Sequence, residues 1–362
     1  MPVVAHRPIR HLLIVRFSAL GDVAMTVPVI DTLARRYPQL EVTVLSRPVV
    51  SPLFDRMPPN VRFRSVDLQS DYQGTEGLRR LCREMIAEGV DGLADFHGVL
   101  RTYYMHLLFR LSGLPAVSIR KGRRAKRRLI RHTPNAFVQL PTSVERYCRV
   151  LRCLGFAVRP DFRSLYAGEP LPALPDGCGV SDKLPHELWI GVAPFSAHRG
   201  KTYPPDMMEM VIEKLAAFYP AARLFVFSGP EDASPWRERW EERFPRLLFV
   251  HGRLGGLGGE LALMARLDVM VSMDSANMHL ASLVAVPVVS IWGATHPFVG
   301  FMGYGQTIRN AVQVDLLCRP CSVFGNRSCR RGDYACLTLI PPDSVVSRVT
   351  EVLQSGSPSA SA

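Results

Sequence analysis

Short apolar runs alternate along most of the chain with longer stretches of helical spacing. In the first part of the sequence, continuous apolar runs predict buried parallel strands at 11–17, 41–46, 61–66 and 92–96. The spacing of the intervening and following segments predicts amphipathic helices at 26–37, 76–88, 102–111 and 144–154. Strands that alternate with helices are typical of a doubly wound parallel sheet.

A proline-rich stretch interrupts this alternation. Five prolines and few periodic apolar positions occur between Arg159 and Pro185, which is typical of a linker between domains. Beyond it, strands are predicted at 188–193, 223–228, 247–250, 269–273 and from 288, with helices at 206–219, 235–243, 260–266, 276–285 and 343–353. The α/β pattern therefore predicts two Rossmann-like doubly wound domains that face a central cleft.

The predicted organisation follows from this pattern and from the length of 362 residues, which is enough for two α/β cores. It comprises an N-terminal domain (1–165), a Pro-rich linker (166–186), a C-terminal domain (187–340), a C-terminal helix (341–354) and a disordered tail (355–362). The composition, 47% hydrophobic and 21% charged, is that of a globular protein. No apolar run approaches the ~20 residues of a membrane span, and the start is unlike a signal peptide. A cytoplasmic location is the simplest prediction.

The net charge of +12 is unevenly distributed. Eight of the twelve residues from Arg120 to Arg131 are Lys or Arg, and none is acidic. Such a basic run could attract nucleic acid, an anionic membrane surface or a phosphorylated substrate, although a simply solvated face is the alternative. No aromatic residue is interleaved in the run, which argues against binding of single-stranded nucleic acid.

Four of the eight cysteines are clustered near the C-terminus. Cys318, Cys321, Cys329 and Cys336 have the spacing C-x2-C-x7-C-x6-C. In a cytosolic protein such a cluster indicates a metal site before a disulfide, although the second pair lacks the tight spacing of zinc ribbons. We therefore hypothesise a structural zinc site.

Two missing motifs narrow the function. The first strand is not followed by G-x-G-x-x-G, which argues against a nicotinamide or flavin site. The chain also lacks G-x-x-x-x-G-K-[ST], so it is not a P-loop enzyme.

The stretch 269–293 reads as strand, polar turn, small-residue helix and strand. Asp274 and Ser275 stand at the turn, where the start of a helix offers unpaired N–H groups and a partial positive charge. Such a site suits a phosphate or diphosphate, although Asp274 or Ser275 could serve only as an N-cap.

Four further polar loops follow predicted strands. The first, 18–22, carries Asp22, which is a candidate general base or merely a helix cap. The loop 196–202 holds three potential cations that could neutralise a diphosphate, and the loop 228–232 holds acids that could bind a ribose. A fourth polar segment runs from Asp95 to Arg101. A solvated loop is the alternative for 196–202, and an acidic first helical turn is the alternative for 228–232.

Together these segments resemble one family. FSALGDVAMTVPVIDTLARRYP, DFHGVLRT, HRGKTYPPDMM, SGPEDA, MDSANMHLASLVAVPVVSIWGATHP and CRPC resemble, in order, the motifs of the ADP-heptose:lipopolysaccharide heptosyltransferases of glycosyltransferase family nine. The resemblance extends from about residue 11 to 340. It implies a GT-B fold in which the N-terminal domain binds the acceptor and the C-terminal domain binds most of the donor. The implied reaction is inverting sugar transfer without a catalytic metal.

The resemblance also implies roles for individual residues. Asp22 becomes the candidate base that deprotonates the acceptor hydroxyl, and Lys201 the candidate that compensates charge on the diphosphate leaving group. Asp274 would contact the donor sugar, and Glu231 the ribose. The other implied donor residues are Ser196, Thr202, Ser275, Ala276, Asn277, Met278, His279 and Thr295. Acceptor contacts are expected from Ser18, Gly21, His97, Arg101, Arg120, Arg123 and Arg124.

The sequence departs from the family pattern at a few positions. Ala276-Asn277 stands where Gly-Pro is usual, so an added Cβ narrows the approach of backbone to phosphate. Tyr203 replaces a commoner Trp, and His296 a commoner Asp. These changes leave the donor sugar less certain than the reaction class.

The expected partners are an ADP-heptose-like nucleotide-sugar and a lipid-linked anionic glycan at the inner face of the cytoplasmic membrane, with no nucleic acid. On this view the basic run steers the enzyme to the membrane surface. A sugar-nucleotide epimerase or hydrolase of similar fold and a non-catalytic glycan-binding protein are the alternatives. The presence of both Asp22 and Lys201 argues against the second.

Overall fold

The computed structural model describes residues 8–356, apart from the side chains of residues 230–234. The chain separates into two compact units. Unit 1 comprises the chain up to Gly122 together with Thr142–Arg163, and unit 2 comprises Arg123–Pro141 together with the chain from Ser164. The predicted domain boundary at 165 lies close to the end of unit 1, but residues 123–141 group with unit 2.

The first elements of the chain alternate between strand and helix as the apolar pattern predicts. The strands are β1 (His11–Val15), β2 (Glu41–Ser46), β3 (Val61–Ser65), β4 (Gly92–Asp95) and β5 (Ala116–Ser118). The helices are α1 (Leu20–Ala24), α2 (Val27–Arg36), α3 (Gly74–Ala87), α4 (Leu100–Leu111), α5 (Arg123–Ile130) and α6 (Ser143–Cys153). A 3₁₀ helix at Pro48–Leu53 follows β2.

The sheet of unit 1 has the order β3-β2-β1-β4-β5 within the described residues, and neighbouring strands are parallel. Strand β1 is buried at every position, because it lies in the centre of the sheet with helices on both faces. The strand order reverses between β1 and β4, where Leu12 pairs with Gly92. Ligands bind doubly wound sheets at this switch point, beyond the carboxyl ends of the strands.

Helix α2 illustrates how local sequence fixes an element that follows β1. Pro28 lies in its first turn, where the missing N–H has no intrahelical partner to lose. Arg35 and Arg36 lie in its last turn, where their charge complements the helix dipole. Residues 29–34, which lie between this proline and these arginines, are buried. Because this packing holds α2 in place, it also fixes the end of the turn that precedes the helix.

Unit 2 repeats the alternation. Its strands are β6 (Trp189–Ala193), β7 (Arg223–Val226), β8 (Leu247–Phe249), β9 (Val269–Met273), β10 (Val288–Ile291) and β11 (Ala311–Val312). Its later helices are α7 (Pro205–Phe218), α8 (Pro230–Arg243), α9 (Leu257–Met264), α10 (Ala276–Leu283), α11 (Ala335–Thr338) and α12 (Pro342–Gly356). Short 3₁₀ helices occur at Arg199–Lys201, Pro297–Val299 and Ile308–Asn310.

The sheet of unit 2 has the order β11-β10-β9-β6-β7-β8 within the described residues, and its neighbouring strands are also parallel. Read from β6, this is the strand order of a dinucleotide-binding fold. The switch point lies between β6 and β9, where Ile190 pairs with Val269. Two Rossmann-like sheets are thus present, as the sequence predicts.

Helix α5, which carries most of the basic run, packs on unit 2. Leu129 and Leu140 form a buried cluster with Val299. Lys126 is also buried, with its Nζ 3.9 Å from the centroid of the Phe301 ring. The remaining arginines of the helix face solvent.

The ends of the chain fall partly outside the described residues. Helix α12 extends to Gly356, so it includes residues 355 and 356, which were predicted to belong to the tail; residues 357–362 lie outside the described range. None of the helices within that range is both long enough and apolar enough to cross a membrane.

Candidate active site

A buried ion pair occupies the switch point of unit 2. Asp274 directly follows β9, and its side chain is only 3% exposed. Its Oδ2 lies 2.9 Å from Lys201 Nζ and accepts a hydrogen bond of 2.8 Å from Thr295 Oγ1. Three residues that the resemblance assigned to the donor site therefore meet at one carboxylate, each from a loop at the carboxyl end of a strand.

The start of α10, directly after Asp274, is not closed by a side-chain cap. Ser275 occupies the N-cap position but makes no side-chain cap hydrogen bond, and its Oγ lies 3.4 Å from Ser272 Oγ. Ser275, Ala276 and Asn277 are half-buried. The carboxylate of Asp274 is bound to Lys201 and Thr295, and the side chain of Ser275 makes no cap hydrogen bond, so neither Asp274 nor Ser275 acts merely as a cap. The dipole at the start of α10 is therefore available to an anion.

Close backbone packing positions Lys201. The 3₁₀ turn Arg199–Lys201 lies against the loop after β10, and Ala294 N–H donates to the Gly200 carbonyl at 2.8 Å. A Cβ at Gly200 would lie 2.7 Å from the Gly325 carbonyl oxygen and 3.1 Å from Ala294 Cβ. Only glycine allows this approach.

The hydroxyl of Thr202 is also used within this loop. It donates to the carbonyls of Ser196 and His198, at 3.3 and 3.2 Å. Ser196 Oγ accepts a long bond of 3.5 Å from His198 N–H. Ser196 and Thr202 thus hold the turn that carries Lys201, and both side chains are half-buried.

Arg319 fixes the loop that carries Thr295. Its buried guanidinium donates to three carbonyls of that loop: Gly293 (2.6 Å), Thr295 (3.0 Å) and Trp292 (3.1 Å). It also donates to Gln313 Oε1 at 3.0 Å. Burial lowers the pKa of Arg319 from its usual value. Sequence reasoning missed this residue, because it stands between two cysteines that drew attention to metal binding.

The remaining residues expected at the donor site, and His296 near them in the sequence, have different environments. Met278 is fully buried, so its side chain packs in the core, and His279 is 9% exposed. His296 Nδ1 accepts from Phe298 N–H at 3.1 Å, and burial lowers the pKa of His296 to about 4. The imidazole is therefore neutral at pH 7. The side chain of Glu231, the candidate ribose ligand, lies outside the described residues.

The switch point of unit 1 carries Asp22 and an arginine. Arg16, at the end of the first apolar run, forms an ion pair with the Asp22 carboxylate. Arg16 Nη1 also donates to the Phe96 carbonyl at 2.7 Å, and Tyr147 Oη donates to the Asp22 carbonyl at 3.1 Å. The Asp22 side chain is 35% exposed, so its carboxylate is fixed by Arg16 yet accessible to a ligand. Arg16 was not predicted as a site residue.

The turn after β4 is built on Asp95. Its Oδ1 accepts from the N–H groups of His97 and Gly98, both at 2.8 Å. His97 Nε2 lies 3.3 Å from Ser18 Oγ. Burial, followed by the charges of Arg16 and Lys121, lowers the pKa of His97 to about 4. Within the described residues, His97 Nδ1 is buried and has no hydrogen-bond partner.

Three of the predicted acceptor residues line one cavity in unit 1. Its volume is about 760 Å³, and Ser18, His97 and Arg101 contribute to its wall. Arg47 and Asp67, which sequence reasoning did not identify, also line it. Arg47 Nε donates to the Phe17 carbonyl at 2.8 Å. The cavity therefore combines two arginines, one acid and a neutral histidine.

The other predicted acceptor residues do not line this cavity. Gly21 is buried in α1, and Arg120 is exposed after β5. Arg123 and Arg124 are exposed on α5, which belongs to unit 2.

The four clustered cysteines line a void of about 20 Å³. All four are free thiols, and burial raises the pKa of Cys336 to about 11. Within the described residues, no group of three or more His, Cys, Asp or Glu side chains is arranged to hold a metal ion. The arrangement of the thiols therefore does not confirm the hypothesised zinc site.

Two parallel Rossmann-like sheets, each with polar loops at its switch point, define the GT-B class of glycosyltransferases. The model of the family "Glycosyltransferase family 9 (heptosyltransferase)" matches residues 115–329, which is more than half of the chain. The chain therefore belongs to glycosyltransferase family 9, as the sequence motifs predict, and is a glycosyltransferase.

Solved structures support the same fold at low sequence identity. A family 9 glycosyltransferase from Veillonella parvula is 18% identical with a TM-score of 0.69, and the match covers 96% of this chain and 98% of that one. The E. coli ADP-heptose lipopolysaccharide heptosyltransferase II is 18% identical (TM-score 0.64, 95% and 99% covered). E. coli heptosyltransferase WaaC with ADP is 15% identical (TM-score 0.65, 94% and 99% covered). A comparison with curated proteins found no match.

Proposed function

We propose that this glycosyltransferase transfers a heptose or a related sugar, with inversion, from an ADP-sugar to the core of lipopolysaccharide or a related surface glycan. The observation that carries the proposal is the convergence of Lys201, Asp274 and Thr295 beside the uncapped start of α10. A fold neighbour, E. coli WaaC, has been solved with ADP and with ADP-2-deoxy-2-fluoro heptose, which supports an ADP-sugar as donor.

On the donor side, two positive groups act on the leaving diphosphate. The ammonium of Lys201 and the N–H groups at the start of α10 compensate the charge that develops as the bond between the sugar and the phosphate breaks. Asp274 holds Lys201 in place and contacts the sugar. The assigned role of Glu231 is to bind the ribose. This electrostatic mechanism requires no catalytic metal.

On the acceptor side, Asp22 takes the proton of the attacking hydroxyl. The acceptor oxygen then bonds to the anomeric carbon from the face opposite the diphosphate, which inverts the configuration. Arg16 orients the carboxylate through their ion pair. A general base must lie within hydrogen-bond reach of the proton it removes, and the partial exposure of Asp22 permits this.

The cavity beside Ser18 and His97 is suited to an anionic sugar. Arg47 and Arg101 line it, and arginine binds carboxylate or phosphate through two parallel hydrogen bonds. His97 is uncharged at pH 7, so it offers a hydrogen bond without adding charge. These features support an acidic glycan as the acceptor class.

The basic run supports an additional role at the membrane. We assign Arg120–Arg131 to steering towards the anionic inner face of the cytoplasmic membrane, because its exposed arginines would gain about 1 kcal/mol each near such a surface. Replacing the exposed arginines of α5 by glutamine should weaken binding to anionic vesicles at low salt. Unchanged binding would refute the assignment.

The central test is nucleotide release from ADP-heptose, with and without a truncated lipopolysaccharide acceptor. We expect release that depends on the acceptor and that collapses in Asp22→Asn. The matched control is Asp55→Asn, which makes the same chemical change at an exposed position of unit 1. Acceptor-independent release would instead favour an epimerase or hydrolase. Salt-sensitive glycan binding without release would favour a non-catalytic binding protein.

The zinc hypothesis stays a prediction with a separate test. The four cysteines share one void, but no metal-holding arrangement exists among the described residues. Stoichiometric zinc in protein purified without added metal, lost in Cys318→Ser, would support the hypothesis. Folded protein without metal would exclude a structural requirement.

A further inference from the structure

Helix α4 carries apolar residues on two opposite faces. Thr102, Met105 and Phe109 are fully buried against unit 1. On the other side, four large apolar residues face solvent. They are Leu100 (87% exposed), Tyr103 (40%), Leu107 (51%) and Leu111 (75%).

These four residues form one row, here called the outer stripe. Their spacing of three, four and four residues places them within a sector of about 80° on a helix with 3.6 residues per turn. The row is about 16 Å long at a rise of 1.5 Å per residue. Single exposed leucines are normal on protein surfaces, but a row of four contradicts the polar outer face expected of a surface helix.

The charge around the outer stripe indicates what covers it. No Asp or Glu occurs in residues 96–122, the part of unit 1 that contains α4, whereas Arg101, Arg110, Arg120 and Lys121 do occur there. The acid-free stretch continues to residue 144 and contains ten Lys or Arg residues in total. Helix α3, which packs against α4, carries the acids Glu76 and Glu84. An apolar row on a helix that itself carries arginines and no acid is nevertheless complementary to an anionic lipid surface, because acyl chains accept the apolar groups and phosphates pair with the arginines.

We propose that α4 lies in the plane of an anionic membrane, with the outer stripe inserted among the acyl chains and Arg101 and Arg110 at the level of the headgroups. This is a second membrane contact, distinct from the electrostatic steering assigned to the basic run. It is carried by apolar burial and therefore persists at high salt.

The position of the outer stripe has a consequence for the acceptor. Leu100 and Arg101, at its first end, also line the cavity that contains Ser18 and His97. A glycan attached to a lipid in that membrane would thus reach the cavity directly from the surface. This consequence rests on the proposed function, whereas the membrane contact itself does not.

The test uses the full chain and a pair of matched variants. Leu107→Gln/Leu111→Gln removes two stripe residues that do not line the cavity. Leu184→Gln/Leu339→Gln makes the same change at exposed leucines of unit 2, 67% and 57% exposed. We expect partitioning onto vesicles of phosphatidylglycerol and phosphatidylcholine, measured by sedimentation, to fall about tenfold or more in the first variant and to stay unchanged in the second.

Salt and self-association complete the test. The ratio between wild type and the stripe variant should be the same at low and high salt, because the lost contribution is apolar. Equal partitioning of wild type and stripe variant, with equal thermal stability, would overturn the proposal. A dimer of wild type without lipid that becomes a monomer in the stripe variant would also overturn it, in favour of a second copy as the occupant.

Activity on a soluble acceptor separates this proposal from the proposed function. The stripe variant should keep nucleotide release with a delipidated acceptor. If wild type itself releases no nucleotide, the transferase proposal fails while the vesicle result still decides the membrane contact.

Discussion

The ion pair between Lys201 and Asp274 allows a quantitative test of the candidate site. The perturbation is Lys201→Met, which keeps the length of the side chain and removes its charge. Asp274 would then retain only the hydrogen bond from Thr295 while its side chain stays 3% exposed. An unpaired buried charge is strongly unfavourable, because the carboxylate has lost its hydration without a compensating partner.

The expected size follows from this burial. Removing one partner of a buried ion pair costs about 3–5 kcal/mol, and we expect the lower end, since Lys201 is 14% exposed and water can reach its side of the pair. For a unit of this size, about 3 kcal/mol lowers Tm by roughly 6–12 °C. A second change, Asp274→Asn, in the Lys201→Met background should recover about 2 kcal/mol, because the amide is neutral and can still pair with Thr295.

The assay is urea unfolding followed by tryptophan fluorescence. All four tryptophans belong to unit 2: Trp189, Trp236, Trp240 and Trp292. Their emission therefore reports the unit that contains the ion pair. Nucleotide release measured on the same variants should show a loss of about 10²–10³ in kcat for Lys201→Met, since the proposed role of Lys201 is to compensate charge on the leaving group.

A matched ion pair in the same unit supplies the control. Lys214 Nζ lies 2.8 Å from Asp343 Oδ1, but the two side chains are 36% and 70% exposed. Lys214→Met should therefore cost less than about 1 kcal/mol. If Lys201→Met were no more destabilising than Lys214→Met, or if Asp274→Asn restored nothing in the Lys201→Met background, the reasoning from burial would be refuted.

Three further predictions concern packing and protonation. Tyr203 Oη donates to the Ile340 carbonyl at 2.6 Å in the core. Tyr203→Phe should therefore lower the free energy of unfolding of unit 2 by about 1–3 kcal/mol in urea unfolding. An unchanged urea midpoint would contradict the importance of this bond. Gly200→Ala should shift the turn that carries Lys201 and lower kcat more than it lowers Tm. Gly305→Ala is the contrasting variant: an added Cβ meets nothing within 4 Å, but φ is +73°, so it should lower Tm through backbone strain and leave kcat unchanged. Because His97 stays neutral to about pH 4 in the folded chain while an unfolded histidine is protonated below about 6.5, its contribution to stability is full above pH 6.5 and is lost as the pH falls towards 4. His97→Gln should flatten this loss in calorimetric scans at pH 7 and 5, and equal slopes for both proteins would argue against a buried neutral imidazole.

Sequence pattern alone predicted the architecture and the loops of the site because both depend on local signals. The long apolar runs identify β1, β2, β6 and β9, and a polar group directly after a parallel strand must lie at the carboxyl edge of its sheet. Lys201 and Asp274 follow strands that turn out to be neighbours, β6 and β9, so their proximity was within reach of sequence reasoning.

The features that were missed depend on contacts between distant parts of the chain. Arg319 acts on carbonyls more than twenty residues earlier in the chain, and no local pattern identifies those partners. In the sequence, Arg16 is part of the predicted first strand and gives no sign of a role in a site. Its ion pair with Asp22 forms only because residues 17–21 turn and bring the two side chains together. Strands β5 and β11 are too short to show a recognisable period.

The path of the chain between the units limits how the protein can be divided into fragments. Because 123–141 belongs to unit 2 while 142–163 belongs to unit 1, the chain crosses from one unit to the other three times. A fragment that began at Ser164 would lack Leu129 and Leu140, and would expose Val299, which they cover. Isolating unit 2 for binding studies would therefore require residues 123–141 to be supplied as a fused or separate peptide. A gene fusion or recombination event at the proline-rich linker would separate α5 from the surface on which it packs.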